Sequence, residues 1–96
     1  MLSYIEENLG DDLSLHSIAH VAGLSISHCK VLFRKTMGMP IHQYVIRRRV
    51  DRAAELLRKG GLPVSEVAAE TGFSHQSHLA AHMKRLLGIA PKDLLR

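Results

Sequence analysis

The sequence predicts an all-α protein of seven helices, built as two helix-turn-helix subdomains joined by a long linker helix. One reason is a pattern of apolar residues, glycine and serine that occurs twice, 49 residues apart. Two others are the dense helical punctuation by Ser, Gly and Pro and the lack of strand-like alternation of apolar and polar residues. We expect one domain over residues 1–96, with subdomain 1 at about 1–39, the linker helix at about 40–59 and subdomain 2 at about 60–96.

The repeated unit is typical of a helix-turn-helix. Its first copy runs from Ile18 to Ser25 and its second from Val67 to Ser74, and the offset then grows from 49 to 50 residues, which indicates one inserted residue just after the second turn. The glycine of each copy tolerates the left-handed backbone of a sharp turn, and a serine can accept the free N–H groups of the next helix. We therefore expect Ser25 and Ser74 to cap the second helix of their units.

The first two helices are predicted from capping signals. Ser3 and Glu6 have the spacing of a capping box and Gly10 follows as a stop signal, so a short first helix is expected between them. Ser14 is expected to cap the second helix.

Prolines and glycines delimit the later helices. Pro40 suits the first turn of the linker helix, which then continues to Lys59 and stops at a Gly-Gly pair. At ~1.5 Å per residue this helix is roughly 28 Å long. Pro63 is expected to begin the fifth helix and Pro91 a short seventh.

Charge is distributed unevenly along the chain. The formal net charge is +4, residues 1–29 hold four acids and no Lys or Arg, and residues 30–59 hold nine cations against two acids. Such a chain offers a basic face to a polyanion and keeps its acids elsewhere. With 4% aromatic residues and no Trp, few rings are available for stacking on unpaired bases, which favours duplex DNA over single strands or RNA.

The helical period separates a buried side from a candidate reading side in the third and sixth helices. In the third helix the residues expected to point inward are Cys29, Leu32, Phe33 and Thr36, and those expected to point outward are Ser27, Lys30, Val31 and Arg34. In the sixth helix Leu79, Met83 and Leu86 are expected inward. Its outward row contains Ala80 and Ala81, which cannot hydrogen-bond a base, so this helix is expected either to specify sequence only weakly or to read it through Gln76 and His78.

Several motifs in this order resemble the AraC/XylS family of bacterial transcription regulators, specifically their DNA-binding domain. The resemblance covers essentially the whole chain. It rests on the two turns, on Tyr44, Arg49, Ala53, Leu56 and Leu57 in the linker helix, and on Gln76-Ser77 and Lys84 with the glycine and proline that follow. It implies that two recognition helices enter successive major grooves of double-stranded DNA to regulate transcription, and that Arg49 is internal and joins helices by hydrogen bonds.

On this basis the expected DNA-binding residues lie on the two recognition helices. They are Ser27, His28, Lys30, Val31, Arg34, Lys35, His75, Gln76, Ser77, His78, Lys84 and Arg85. The two pairs of adjacent cations in this set, Arg34-Lys35 and Lys84-Arg85, are expected to neutralise phosphates rather than to read bases. The linker cations Arg47, Arg48 and Arg52 are interpreted as a solvated face.

The resemblance also implies a bacterial, cytoplasmic protein that is associated with the nucleoid when bound to DNA. RNA polymerase is the expected protein partner, and the isolated domain is expected to be monomeric. The chain is either a single-domain regulator or, as we favour from the resemblance, part of a longer chain with an effector or dimerisation domain. No apolar run approaches the ~20 residues of a membrane span, so no membrane partner is expected. The single Cys29 cannot form an internal disulfide, which fits a reducing compartment.

Two alternatives remain open from the residues alone. One is a basic helical module that docks an acidic protein. The other is a metal-responsive DNA binder, since His16/His20 and His78/His82 are each spaced i, i+4 on a helix. A metallopeptidase His-Glu-x-x-His motif is missing and Cys29 lies in the other half of the chain, so we expect no metal site and no cofactor. No catalytic constellation is visible, and an enzyme is not expected.

Overall fold

The computed structural model describes residues 1–95, and this part of the chain is entirely helical apart from its turns. Its α-helices are α1 (Leu2–Glu7), α2 (Leu15–Ala22), α3 (Ile26–Met37), α4 (Ile41–Lys59), α5 (Val64–Glu70) and α6 (Gln76–Leu87). The all-α prediction is confirmed, but the count of seven α-helices is wrong by one. Pro91–Leu94 forms a 3₁₀ helix, because four residues make only a single tight turn.

Two hydrophobic cores share α4. The first core lies between α1, α2, α3 and the start of α4, and it includes Ile5, Leu9, Ile18, Ala19, Cys29, Phe33, Ile41 and Val45. The second lies between the rest of α4, α5 and α6, and it includes Val50, Ala53, Ala54, Leu57, Val67, Ala68, Phe73, Leu79 and Met83. An uninterrupted helix therefore carries one helix-turn-helix unit on each half of its length.

The two turns have the same backbone geometry. Gly23 and Gly72 both have positive φ, +71° and +88°, as the sequence predicts. The N–H of Leu24 donates to the carbonyl oxygen of Ala19 at 3.0 Å, and one repeat later the N–H of Phe73 donates to that of Ala68 at 2.9 Å. Each helix-turn-helix unit therefore closes its turn with an equivalent pair of residues.

The inserted residue moves the second helix cap. Ser25 caps α3, since its Oγ accepts the N–H of His28 at 3.1 Å. The prediction that Ser74 caps α6 is wrong, because the N-cap is His75, whose Nδ1 accepts the N–H of His78 at 3.3 Å. Phe73 is fixed by the turn and is only 7% exposed, so Ser74 is the extra residue that the chain needs to reach the start of α6.

The first helix begins and ends differently from the expectation. Its N-cap is Met1 and no side chain caps it, so the predicted Ser3–Glu6 capping box is wrong. The reason is that Glu6 forms an ion pair with Arg48 of α4 instead. Gly10 does not end the helix either; a Cβ atom there would overlap the carbonyl oxygen of Glu70, so this glycine is needed for close approach to α5.

Arg49 connects the two halves of the molecule. Its Nε donates to the carbonyl oxygen of Leu9 at 2.9 Å and one terminal nitrogen donates to that of Asp11 at 2.8 Å, while the other reaches the carbonyl oxygen of Gly72 at 3.4 Å. A Cβ atom at Gly72 would lie 2.6 Å from the carbonyl oxygen of Leu9 and 2.7 Å from Cζ of Arg49, so a larger residue would collide with backbone as well as with the guanidinium. The expectation that Arg49 joins separate parts of the chain by hydrogen bonds is confirmed, but the residue is half-buried rather than internal and joins α4 to the turns after α1 and α5. We call this set of contacts the Arg49 joint.

Arg49 should contribute more to the free energy of unfolding than any other cation of the linker helix, because of the hydrogen bonds of the Arg49 joint. Arg49→Ala removes three donors and leaves carbonyl groups without partners, so we expect a loss of about 2 kcal/mol and a melting temperature lower by about 10 °C. Arg47→Ala is the matched control, because Arg47 forms only an exposed i, i+4 pair with Asp51. Thermal unfolding followed by circular dichroism measures both, and equal losses in the two variants would contradict the role of the joint.

A cluster of rings covers one side of Phe73. The ring centroid of His82 lies 5.8 Å from that of Phe73 and 4.9 Å from that of His78, and a guanidinium nitrogen of Arg85 lies 2.8 Å from Nδ1 of His82. Burial lowers the pKa of His82, and the neighbouring His78 and Arg85 lower it further. The fold therefore favours neutral His82.

Acidification should destabilise the fold through His82. Because its pKa is lower in the folded state than in the unfolded state, the unfolded chain takes up the proton more readily, and this contribution to stability is lost as the pH falls from about 7.5 to 5.5. We expect His82→Gln to show a smaller fall in melting temperature over this interval than the parent, with His20→Gln on α2 as the control. If the melting temperatures of the parent and of His82→Gln fell equally over this pH interval, His82 would be excluded as the cause.

Candidate nucleic-acid interface

The helices α3 and α6, which we call the reading helices, match residue for residue at an offset of 50. Both are twelve residues long, and each begins after a capped N-terminus and ends at a glycine with positive φ. Buried Cys29 and Phe33 in the first correspond to buried Leu79 and Met83 in the second. The outward faces of the two helices can therefore be compared position by position.

Four outward positions carry the same chemistry in both reading helices. Ser-His near the N-terminus and a pair of cations near the C-terminus occur at matched places, namely Ser27-His28 with Ser77-His78 and Arg34-Lys35 with Lys84-Arg85. All of these side chains are exposed. Since the residues that fill the cores differ between the two units, this agreement on the exposed face is not required by packing.

The centres of the reading helices differ. Lys30 and Val31 are exposed on α3, and Val31 has 59% of its surface open to solvent. The matched residues on α6 are Ala80, which is half-buried, and Ala81. A lysine can donate to a base or a phosphate and a valine can contact a thymine methyl, whereas alanine offers only a methyl group. The centre of α3 therefore presents a cation and a larger apolar surface outward, whereas the centre of α6 presents only methyl groups.

The buried side of α3 is narrower than predicted. Leu32 is 40% exposed and Thr36 is exposed, so the expectation that both point inward is wrong. The hydroxyl of Thr36 donates to the carbonyl oxygen of Leu32 at 2.8 Å within the helix. On this side α3 packs through buried Cys29 and Phe33 and through half-buried Met37 at its end. The ring of Phe33 meets that of Tyr44 edge to face at 5.3 Å.

The start of α6 is ordered by its own side chains. Nδ1 of His75 accepts the N–H of His78 and also lies 2.7 Å from Oγ of Ser77. Gln76 and His78 are exposed beside it, and the ring of His78 lies 5.6 Å from that of His75. His75 is therefore first of all a capping residue, while Gln76 and His78 present their side chains outward at the N-terminal end of the helix.

The basic residues divide into paired and unpaired groups. On α4, Arg47 and Arg48 pair with Asp51, Arg48 also pairs with Glu6, and Arg52 pairs with Glu55. The hydrogen bond from Arg48 lowers the pKa of the Glu6 carboxyl. On the reading helices, Lys30, Arg34 and Lys35 have no ion pair among residues 1–95, and Nζ of Lys84 bonds only to the carbonyl oxygen of Gly88 at 3.2 Å.

The clefts of the molecule separate the two signs of charge. One cleft is bordered by Lys30 and Arg34 of α3 and another by Arg85 of α6, and no carboxylate lines either of them within the described chain. The acids gather instead around Arg48 and Arg52, where Glu6, Glu7, Glu55 and Glu70 line a third cleft. A polyanion that approaches the reading helices therefore meets free cations.

Sequence reasoning missed three linker residues at this face. His42, Gln43 and Ile46 line the cleft that they share with His82 and Arg85 of α6, and His42 and Ile46 also line the cleft beside α3. They lie between the two reading helices. Their one sequence signal is the i, i+4 spacing of His42 and Ile46, and it is weak because Ile46 also packs against the second core.

Neither a metal centre nor a membrane segment is found in the part of the chain that the structure describes. No group of three or more His, Cys, Asp or Glu residues among residues 1–95 has the arrangement to hold a metal ion. Within the same residues, no helix is both long and apolar enough to cross a bilayer.

Comparisons with known proteins identify the family. Residues 18–96 match the model of a helix-turn-helix domain. The chain is 39% identical over 89 residues to the probable transcriptional regulator LumQ of Photobacterium leiognathi, covering 93% of this chain and 36% of LumQ. It is 40% identical over 91 residues to the transcriptional activator AarP of Providencia stuartii, covering 95% of this chain and 67% of AarP. The chain thus spans about a third of the length of one relative and two thirds of the other.

Solved structures agree in fold over nearly the whole chain. A transcriptional regulator with an AraC-type DNA-binding domain from Chromobacterium violaceum superimposes with a TM-score of 0.91 at 26% identity, over 97% of this chain and 83% of that one. The DNA-binding domain of AdpA, solved in complex with a target DNA, superimposes with a TM-score of 0.91 at 29% identity, over 96% and 83% of the two chains. The chain therefore belongs to the AraC/XylS family of transcription regulators and has the fold of their DNA-binding domain.

Proposed function

We propose that this chain binds double-stranded DNA in a sequence-specific manner by inserting α3 and α6 in successive major grooves, and that it regulates transcription by doing so. The observation that carries the proposal is that the two reading helices present matched outward faces and are connected by one uninterrupted helix, α4. Two helices with the same polar and cationic positions suit a ligand that offers two equivalent surfaces. Duplex DNA is such a ligand, because its major groove recurs every ~34 Å. The AdpA domain, which has the same fold, binds a target DNA.

The proposed contacts divide into base reading and phosphate binding. Lys30, Val31, Gln76 and His78 occupy outward positions in the first half of their helices, where side chains reach base edges. Arg34, Lys35, Lys84 and Arg85 lie in the last turns, where the sugar-phosphate walls of the groove pass. Ser27 and His28 lie in the first turn of α3, and Ser77 lies in the first turn of α6, so all three are further proposed DNA contacts. His75 is proposed to contact DNA in addition to capping α6.

The division of the chain follows from the same geometry. Subdomain 1 at about residues 1–39 and subdomain 2 at about 60–96 would each supply one reading helix, and the linker helix at about 40–59 would fix their separation. We further propose that the domain acts as a monomer on an asymmetric site, because the two reading helices of one chain differ at their centres. RNA polymerase is the proposed protein partner, the cytoplasm the proposed location, and a longer chain with an effector or dimerisation domain the proposed context.

Alanine substitutions should separate base reading from phosphate binding. We expect Lys30→Ala and Gln76→Ala each to relax the preference at one base position, by about 1 to 3 kcal/mol, because each removes a donor that one base pair satisfies. Arg34→Ala should weaken binding to all sequences alike, because a phosphate contact carries no sequence information. Sites selected from random duplexes by the parent supply the specific duplex, and titrations of each variant against specific and unrelated duplex give the two affinities.

The control variant is Arg58→Ala, which removes an exposed cation from the far end of α4 and should change neither affinity appreciably. Equal losses on specific and unrelated duplex for Lys30→Ala, Gln76→Ala and Arg34→Ala would contradict the assignment of roles. If the parent enriches no sequence from random duplexes and binds neither selected nor unrelated duplex DNA, the alternative of a module that docks an acidic protein is favoured instead.

A further inference from the structure

An apolar cleft lies directly beside the first reading helix. Its volume is about 570 Å³, and it is bounded by α2, α3 and the N-terminal half of α4. Buried Ile18, Ile41 and Val45 reach its surface, and Pro40 and Ile46 extend the apolar lining. This volume falls within the roughly 300 to 1,000 Å³ that small-molecule sites occupy.

The polar part of the lining is entirely basic. Lys30 and Arg34 border the cleft from α3, His42 and Arg49 border it from α4, and no carboxylate lines it in the described chain. The guanidinium of Arg49 is already occupied by the carbonyl oxygens of the Arg49 joint. Lys30 and Arg34 have no hydrogen-bond partner for their side chains within residues 1–95, and their i, i+4 spacing places both on one side of α3.

This combination selects one class of ligand. A carboxylate can be reached by both cations at the rim, and charge-assisted hydrogen bonds to it are stronger than neutral ones. Inorganic phosphate or a DNA phosphate would satisfy the cations but leave the apolar lining in contact with water, whereas burial of an apolar body there is favourable. A neutral apolar molecule would in turn leave the two cations unused.

We propose that the cleft beside α3 binds a small organic monoanion with an apolar body, such as an aromatic carboxylate, and that this ligand controls DNA binding. Because it would hold Lys30 and Arg34, which the proposed function assigns to DNA, the bound anion and duplex DNA compete. The regulatory part of this inference rests on the proposed function, whereas the binding of the anion does not. The cleft lies in the DNA-binding domain itself, so the response needs no separate ligand domain.

Naphthoate is a suitable probe, because the chain has no Trp and the fluorescence of the naphthalene ring is therefore unobscured. We expect saturable one-to-one binding to the intact 96-residue chain without DNA, with shifts of the methyl resonances of Ile18 and Ile41 in NMR spectra. The neutral analogue naphthalenemethanol should bind about fivefold or more weakly, because it cannot use the two cations.

Substitutions locate the site. Lys30→Met and Arg34→Met keep the apolar stems and should each weaken naphthoate binding about fivefold. Lys35→Met is the matched control, since it removes the same charge from the same helix but from a residue that does not line the cleft, and naphthoate affinity should be unchanged. Naphthalenemethanol binding as tightly as naphthoate, losses as large in Lys35→Met as in the other two, or no saturable binding would each overturn the proposal.

Addition of DNA separates this inference from the proposed function. Naphthoate should lower the apparent affinity of the parent for its selected duplex. A chain that binds naphthoate but no duplex would contradict the proposed function and the regulatory part that rests on it, and would leave the anion site standing. A chain that binds duplex but no naphthoate would contradict this inference alone. Simultaneous binding of both without mutual loss of affinity would overturn the regulatory part.

Discussion

The relative position of the two helix-turn-helix units depends on one side chain, the guanidinium of Arg49. It donates to the carbonyl oxygens of Leu9 and Asp11 in the first half of the chain and reaches that of Gly72 in the second. Burial lowers the pKa of Arg49 while Asp12 raises it, and an arginine nevertheless stays charged at neutral pH. The three carbonyl oxygens lie in turns and have no partner within a helix, so the guanidinium of Arg49 is their donor. A shift of one helix-turn-helix unit relative to the other would break these hydrogen bonds.

The rest of the architecture transmits this constraint to the reading helices. Each unit has its own core on one half of α4, and the helix between the cores is continuous, so α3 and α6 have no hinge between them in the linker. On α4, Arg47, Arg48 and Arg52 pair with neighbouring acids, whereas Lys30, Arg34 and Lys35 on the first reading helix have no ion pair within residues 1–95. Charge and rigidity together leave two basic helices at a fixed separation, which suits a regularly repeating polyanion.

Local signals in the sequence predicted most of the fold. Ser14, Ser25 and the glycines at 23 and 72 act as expected because a cap or a turn involves only neighbouring residues. Ser74 and Ser3 do not, since the choice of cap depends on where Phe73 packs and on the pairing of Glu6 with α4. Periodicity gave the phase of α3 but not the width of its buried side, so Leu32 and Thr36 were placed wrongly. The clefts beside α3 and α6 are lined by residues from several separate segments of the chain. A periodic pattern within one segment therefore cannot predict them.

The claim that the two reading helices are held at one separation is tested most directly by changing the spacing of the subsites in the DNA. The measurement is the affinity of the chain for its selected duplex and for two derivatives, with five or ten base pairs inserted between the subsites. Five base pairs rotate one subsite by about half a turn, and ten restore the face but add about 34 Å, which a helix of roughly 28 Å cannot span. The account predicts that both insertions reduce affinity to that of a single subsite. Full affinity for either derivative would contradict it.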